Sequence, residues 1–216
     1  MSRYTTIFFD LDDTLYDNKN GLWDAIRFRM NEYLQNLLQL PADQTTALRH
    51  FYYQKYGTTL RGLQIHHQVN ADDYLAYVHN LPLENFIQPD PELHRMLSTL
   101  PQRKFIFTNA DSDHATRILN LLDIYDCFDG IIDVRSLDFH CKPEEIAYWI
   151  ALKLAGENDP IKCVYLDDST RNLSKARELG FTTILVCSDG KASSAHLSIT
   201  NVKELPIILP DLGVRA

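Results

Sequence analysis

The stretch Thr6-Ile7-Phe8-Phe9-Asp10-Leu11-Asp12-Asp13-Thr14 decides how this chain is read. Thr6 to Phe9 has the composition of a buried strand, and three carboxylates then fall within four residues. Like charges this close resist ionising together. A hard divalent cation such as Mg²⁺ offsets that repulsion, because it prefers oxygen ligands. Asp10 and Asp12 are two residues apart, so on an extended backbone they point to the same side, roughly 6–7 Å apart. One carboxylate of such a pair can attack a phosphorus atom while the other handles a proton. Taken alone, the stretch also reads as a polar exit from a strand.

Three further segments have the same character. Phe105-Ile106-Phe107-Thr108-Asn109 is an apolar run ending in a hydroxyl and an amide. Lys142-Pro143 puts a single cation just ahead of a helix start. Val164-Tyr165-Leu166-Asp167-Asp168-Ser169 is another apolar run ending in two acids. Around them strands and helices alternate. Strands are expected at Lys104 to Thr108, Gly130 to Val134, Cys163 to Leu166 and Thr182 to Val186, the last clear one. A helix holding Ile118, Leu119 and Leu122 follows the first of these. Another starts after Pro143 and stops at Gly156, and a third runs from Ser169 to Leu179 and stops at Gly180. The alternation implies an α/β fold, a Rossmann-like parallel sheet with helices on both faces. Ligands of such sheets bind beyond the carboxyl ends of the strands, where the acid and Thr segments all sit.

Between the first acid cluster and the Thr108 strand the pattern is helical. Leu22, Ile26, Met30, Tyr33, Leu34 and Leu37 recur at helical spacing. Pro41 can open the next helix at its first turn, and that helix runs through Leu48, Phe51, Tyr52 and Lys55 to a stop at Gly57. Asn70 is a cap for a helix carrying Tyr74, Leu75 and Val78. Asp90-Pro91 is a cap plus first-turn proline for a helix ending near Pro101. The expected division is a core of residues 1–17 and 88–216, with a helical insert over 18–87.

The 216 residues are 45% hydrophobic and carry a formal charge of -8. That is enough chain for one domain with a large insert or for two small domains, and the negative balance argues against nonspecific binding of nucleic-acid polymers. Met1-Ser2-Arg3-Tyr4 leads straight into the first strand, which does not read as a signal peptide, and no apolar run approaches a membrane span. Cys127, Cys141, Cys163 and Cys187 form no CxxC pair and read as buried residues or free thiols of a reducing compartment. A soluble cytoplasmic protein is the expectation; the oligomeric state is left open.

In order, the four segments supply an acid pair, a Thr, a Lys and an acid pair. The set resembles the four motifs of the haloacid dehalogenase-like (HAD) phosphohydrolase superfamily and spans Asp10 to Asp168. That resemblance implies an α-helical cap over 18–87, whose closure would exclude water and select small substrates. It implies Asp10 as the nucleophile, forming an aspartyl-phosphate, and Asp12 as acid and then base, which asks for a raised carboxyl pKa. Thr108 and Asn109 would bind phosphate oxygens, helped by the following helix N-terminus, and Lys142 would neutralise the phosphoryl group and Asp10. Mg²⁺ would be held by Asp10, the Asp12 backbone carbonyl, Asp167 and, more directly, Asp168. The second acid that the family often has four residues later is replaced here by Asn172, which implies a weaker or water-mediated contact. Asp13 and Asp133 are read as a loop acid and a strand-end acid. The dehalogenase branch generally lacks the second acid and uses no metal, so Asp12 points to phosphate esters.

The insert also carries Tyr52-Tyr53-Gln54-Lys55-Tyr56-Gly57, Leu60-Arg61-Gly62-Leu63 and His66-His67. With Leu15-Tyr16 and the Asp168 segment, this series is similar to the pyrimidine 5'-nucleotidases of the superfamily. It implies that Tyr52 and Tyr56 stack a base and that Arg61 bonds a base carbonyl or ribose. The competing expectations are that Tyr52 and Tyr56 pack the insert, that Gly62 makes a tight turn, and that His66 and His67 lie on the surface. The substrate expected is a nucleoside 5'-monophosphate, pyrimidines preferred. The alternatives are a phosphatase or phosphomutase for sugar phosphates or other small phosphometabolites, and a catalytically idle HAD-like binding or scaffold protein.

Overall fold

The computed structural model describes residues 3–17, 19, 21–187 and 195–213. Asn18, expected as the first residue of the insert, lies outside the described residues. Six parallel strands form one sheet: β1 Thr6–Phe9, β2 Arg103–Phe107, β3 Gly130–Ile132, β4 Cys163–Asp167, β5 Thr182–Val186 and β6 Leu197–Ile199. Their spatial order is β3-β2-β1-β4-β5-β6. β1 therefore sits between β2 and β4, with Phe8 facing Phe105 on one side and Tyr165 on the other.

Period-two alternation divides the core into two layers. Phe8 packs with Phe107, Tyr148, Tyr165 and Phe181 on one face. Ile7 and Phe9 pack with Ile106, Val164, Leu166 and Ile184 on the other. Every residue of β1 is buried, as expected when helices cover both faces of a parallel sheet. One covering layer contains α7 Glu145–Leu154 and α8 Thr170–Glu178, and the other α5 Pro91–Thr99, α6 Ser112–Leu121 and α9 Leu205–Ile208. The edge strand β6 is an addition to the expected set; at three residues it is too short to show a period.

The segment between β1 and α5 is helical: α1 Leu22–Leu38, α2 Ala42–Tyr56, α3 Thr59–His67 and α4 Ala71–Val78. It has its own apolar cluster, built on Leu34, Tyr52, Leu60, Leu63, Tyr74, Leu75 and Val78. Leu22 and Ile26, at the start of α1, belong instead to the sheet's cluster. Pro41 precedes α2 with an extended backbone rather than opening its first turn. Helix α3 replaces the turn expected around Gly62. A Cβ at Gly62 would stand 2.3 Å from Tyr52 Cγ, so this glycine lets α3 lie directly on the Tyr52 ring of α2.

Candidate active site

The carboxyl ends of the three central strands lie abreast. The Asp10 N–H donates to the Leu166 carbonyl at 2.9 Å, and the Thr108 N–H to the Ile132 carbonyl at 3.0 Å, so both residues continue their strands' ladders. Asp167 is the last residue of β4. The loop carrying Lys142 is pinned to this edge by Asn109. Its side-chain oxygen accepts from the Lys142 N–H at 2.8 Å and its amide donates to the Lys142 carbonyl at 3.1 Å. The Asn109 side chain thus holds the lysine loop. The Thr108 hydroxyl accepts from the Ala110 N–H at 3.0 Å and is buried, which leaves its own O–H as a donor.

Lys142 is 1% exposed. Its ammonium donates to Asp10 Oδ1 at 2.6 Å, the Phe107 carbonyl at 2.7 Å and Asp167 Oδ2 at 3.0 Å. All three N–H groups are used, as a buried cation requires. Burial alone would lower its pKa, but the Asp10 and Asp167 charges outweigh burial and raise it. Asp10 is buried too, and burial pushes its carboxyl up to about 7, with Lys142 opposing and Asp167 adding to the rise. The Thr14 hydroxyl donates to its other oxygen at 3.1 Å.

Asp12 departs from expectation. It is half-buried, and Oδ1 accepts from the Tyr16 hydroxyl and faces His114 Nε2 at 3.0 Å. Burial would raise its pKa, but the His114 and Tyr16 contacts together outweigh burial and lower it. The raised pKa expected from the neighbouring acids is therefore corrected: hydrogen bonds to the ionised form prevail over like-charge repulsion.

Asp10, Asp167 and Asp168 bring carboxylate oxygens within 4.8 Å of one another. This donor set fits a hard divalent cation. Asp168 is exposed; desolvation by its surroundings, then the Asp167 and Asp10 charges, push its carboxyl up to about 9. Asp167 is fully buried and already accepts from Lys142, the Tyr165 hydroxyl, the Ser169 N–H at 2.7 Å and the Asn172 amide. The Asn172 amide thus orients Asp167. The Asp12 carboxylate is turned to His114 and Tyr16 through Oδ1 and is not part of the cluster formed by Asp10, Asp167 and Asp168. Asp13 is a loop acid at φ 61, pushed up to about 7 by burial and the Asp12 charge. Asp133 organises its own loop, accepting from the Ser112 and Ser136 N–H groups at 2.9 Å each.

The insert touches this edge through the end of α2. The Cys141 thiol donates to the Tyr56 carbonyl at 3.2 Å, and Arg171 to the Tyr53 carbonyl at 3.0 Å. Tyr56 is half-buried, with its hydroxyl 2.6 Å from His66 Nε2. Arg61 Nε stands 3.7 Å from Glu144 Oε1, both side chains about one-third exposed. Tyr52 is packed rather than presented as an open stacking face. It is 4% exposed, lies over Gly62, stacks on His66 at 5.4 Å and bonds His67 Nε2 at 2.7 Å; its ring is part of the insert's core.

The sequence reading missed His114, His79 and Asp111, and named Tyr16 only as part of a resemblance. Asp111 caps α6 by accepting the His114 N–H at 2.8 Å. A histidine in the first turn of the helix that follows the Thr108 strand was the available signal, since that turn faces the same sheet edge.

Residues 4–180 match the family of haloacid dehalogenase-like hydrolases. A relative from Saccharomyces cerevisiae, phosphate metabolism protein 8, is 26% identical over 231 residues, covering 94% of this chain and 71% of the relative. The crystal structure of a HAD phosphatase from Thermococcus onnurineus superposes with a TM-score of 0.64 at 18% identity, covering 95% of this chain and 97% of that one. The magnesium-bound HAD-hydrolase YfnB from Bacillus subtilis gives 0.66 at 17%, covering 96% and 99%. L-2-haloacid dehalogenases are also among the similar solved structures. At these identities the structural likenesses speak to the fold.

Proposed function

We propose that this chain, which belongs to the haloacid dehalogenase-like hydrolases, is a phosphomonoesterase that works through an aspartyl-phosphate on Asp10. One observation carries the choice over carbon–halogen cleavage: a second carboxylate, Asp12, is held beside the nucleophile by His114 and Tyr16. A halide leaves without a proton. An alkoxide leaving from phosphorus needs one, and Asp12 is placed to give it. The names of the yeast relative and of the Thermococcus neighbour agree with this reading.

In the first step an Asp10 carboxylate oxygen bonds to phosphorus, the bond from phosphorus to the ester oxygen breaks, and that oxygen takes a proton from Asp12. The charge of an arriving phosphate monoester raises the proton affinity of Asp12 by like-charge repulsion. In the second step water bonds to phosphorus and gives a proton to Asp12. The bond from phosphorus to Asp10 breaks, which releases phosphate and restores both acids. Lys142 neutralises charge on Asp10 throughout, and the Thr108 hydroxyl and the main chain after it donate to phosphate oxygens. Asp10, Asp168 and the Asp12 carbonyl would hold Mg²⁺, with Asp167 beside them; the ion would supply electrostatic stabilisation of the phosphoryl oxygens.

The helical insert, residues 18–87 in the sequence division, is read as a cap that selects the substrate. A nucleoside 5'-monophosphate, pyrimidines preferred, is the substrate proposed, with Arg61 and Tyr56 as the recognition residues. Phosphate release from UMP and CMP, set against a panel of sugar phosphates and p-nitrophenyl phosphate with Mg²⁺ or EDTA, tests this. A preference for sugar phosphates overturns the nucleotide assignment and leaves the phosphatase. No release from any ester in Mg²⁺ overturns both.

A further inference from the structure

Two sets of contacts meet on the Asp12 carboxylate. Oδ1 accepts from the Tyr16 hydroxyl and, at 3.0 Å, from His114 Nε2. Opposite an ionised oxygen that only accepts, that nitrogen carries the hydrogen. Oδ2 has no hydrogen-bond partner among the described residues. The carboxylate is thus anchored by one oxygen and open at the other.

His114 is 1% exposed, and its second nitrogen, Nδ1, is buried without a partner. An unpaired buried nitrogen is unfavourable, so simple packing is a poor reason for a histidine here. The ring is fixed by its face. His79, at the end of α4, stacks on it with centroids 4.2 Å apart and planes 18° from parallel. His79 Nδ1 lies 2.7 Å from Asp111 Oδ2, while Asp111 Oδ1 accepts the His114 main-chain N–H. Asp111 therefore holds the ring's backbone and the ring stacked upon it.

The geometry points to His114 as a positioning residue: with Tyr16 it ties down Asp12 Oδ1 and reserves Oδ2 for the proton exchanged with the ester oxygen, while the His79–Asp111 pair locks its ring. The inference rests on the phosphomonoesterase reading. In the step concerned, the bond from phosphorus to the leaving oxygen breaks, the bond from Asp10 to phosphorus forms, and the proton moves from Asp12 Oδ2 to the leaving oxygen. A leaving group that is already a stable anion depends little on that proton; an alkoxide depends on it strongly.

The test is kcat and KM on p-nitrophenyl phosphate and on alkyl esters, UMP among them, for wild type, His114→Leu, His114→Gln and Tyr16→Phe at saturating Mg²⁺. His114→Leu keeps bulk and loses the donor. It should lower kcat on alkyl esters on the order of 100-fold, the scale of one acid–base contribution, and on p-nitrophenyl phosphate only about threefold, with little change in KM. His114→Gln, whose amide nitrogen reaches the Nε2 position, should recover most of the alkyl-ester rate. Equal losses on both ester types, or a Gln variant no better than Leu, overturn the inference. Should the Leu variant not fold, Tyr16→Phe carries the test, because it deletes only the other donor to Oδ1; a loss falling more heavily on alkyl esters supports the inference and an equal loss overturns it. If wild type hydrolyses neither ester type, the phosphomonoesterase reading falls and takes the inference with it; if wild type is active and the variants show no leaving-group dependence, the inference alone falls.

Discussion

The Lys142 ammonium lies 2.6 Å from Asp10 Oδ1, and the lysine is sealed from solvent. Its other two hydrogens go to Phe107 and Asp167, so a single cation balances two acids at the sheet edge. Removing one partner of a buried pair leaves the other uncompensated, at about 3–5 kcal/mol. Lys142→Met should lose activity and about that much stability at pH 7.5 in EDTA. The sign of the pH dependence follows from the raised Asp10 pKa, about 7 in the folded protein. Below that value the carboxyl takes up a proton and no longer needs the cation, so the stability gap between variant and wild type should narrow at pH 5.5. Urea unfolding at the two pH values measures this; a gap that widens on acidification contradicts the charge-balance account.

Asp10→Asn should abolish phosphate release while the protein still folds. The amide oxygen can go on accepting from Lys142, and the Thr14 hydroxyl, now a donor to Asp10, can turn to accept from the new NH₂. What disappears is the proposed nucleophile. A folded variant that releases phosphate at the wild-type rate would rule out the covalent route.

The acid cluster makes metal binding pH-dependent. Burial pushes Asp10 up to about 7, and desolvation with the Asp167 and Asp10 charges pushes Asp168 up to about 9, whereas both titrate near 4 in an unfolded chain. Without metal, folded-state pKa values raised in this way make stability fall as pH climbs from about 4 through those values, because the unfolded chain gives up its protons first. Mg²⁺ must displace these protons, so its affinity should rise with pH. The gain in Tm on adding Mg²⁺ should be larger at pH 8.5 than at pH 6, and Asp168→Ala should raise the Mg²⁺ concentration needed for activity. Equal Tm gains at the two pH values would argue that these carboxyls do not hold the ion.

The sheet and its candidate catalytic edge were legible because both are local. β1 and β4 are unbroken apolar runs, buried along their whole length, and each is closed by acids. Lys142 was legible only through its order among the other segments; nothing local marks it as buried. The elements that escaped were set by tertiary contacts. Gly62 looks like a turn residue until α3 is seen lying on Tyr52, and the same contact turns Tyr52 from a stacking platform into packing. His114 meets Asp12 across 102 residues of sequence, with no spacing pattern to join them. The pKa of Asp12 was misjudged for the same reason: its neighbouring acids are visible in sequence, and its donors are not.

Gly62→Ala tests the insert's packing. The new Cβ would fall 2.3 Å from Tyr52 Cγ and 2.5 Å from its Cβ. These atoms are near the backbone and cannot swing aside like a flexible chain end, so the helices must separate. Overpacking of this kind costs about 1–3 kcal/mol. A clear fall in Tm is expected. An unchanged Tm would show that α2 and α3 part freely.

Arg61 tests whether the insert recognises substrate. Its guanidinium is about one-third exposed and 3.7 Å from Glu144, two residues beyond Lys142, while Glu144 Oε2 is 2.7 Å from His140. A pair this exposed contributes little to stability, so Arg61→Ala should leave Tm nearly unchanged. Placed beside the lysine loop, the free face of the guanidinium can meet a ribose or base. Loss of one charged hydrogen bond is worth about 1.5–3 kcal/mol, which predicts a drop of roughly tenfold or more in kcat/KM for UMP. p-Nitrophenyl phosphate has no ribose and should be hydrolysed nearly as well as before. The contrast between substrates carries the argument, because a damaged insert would harm both. Equal losses, or none, would show that Arg61 serves only its ion pair with Glu144.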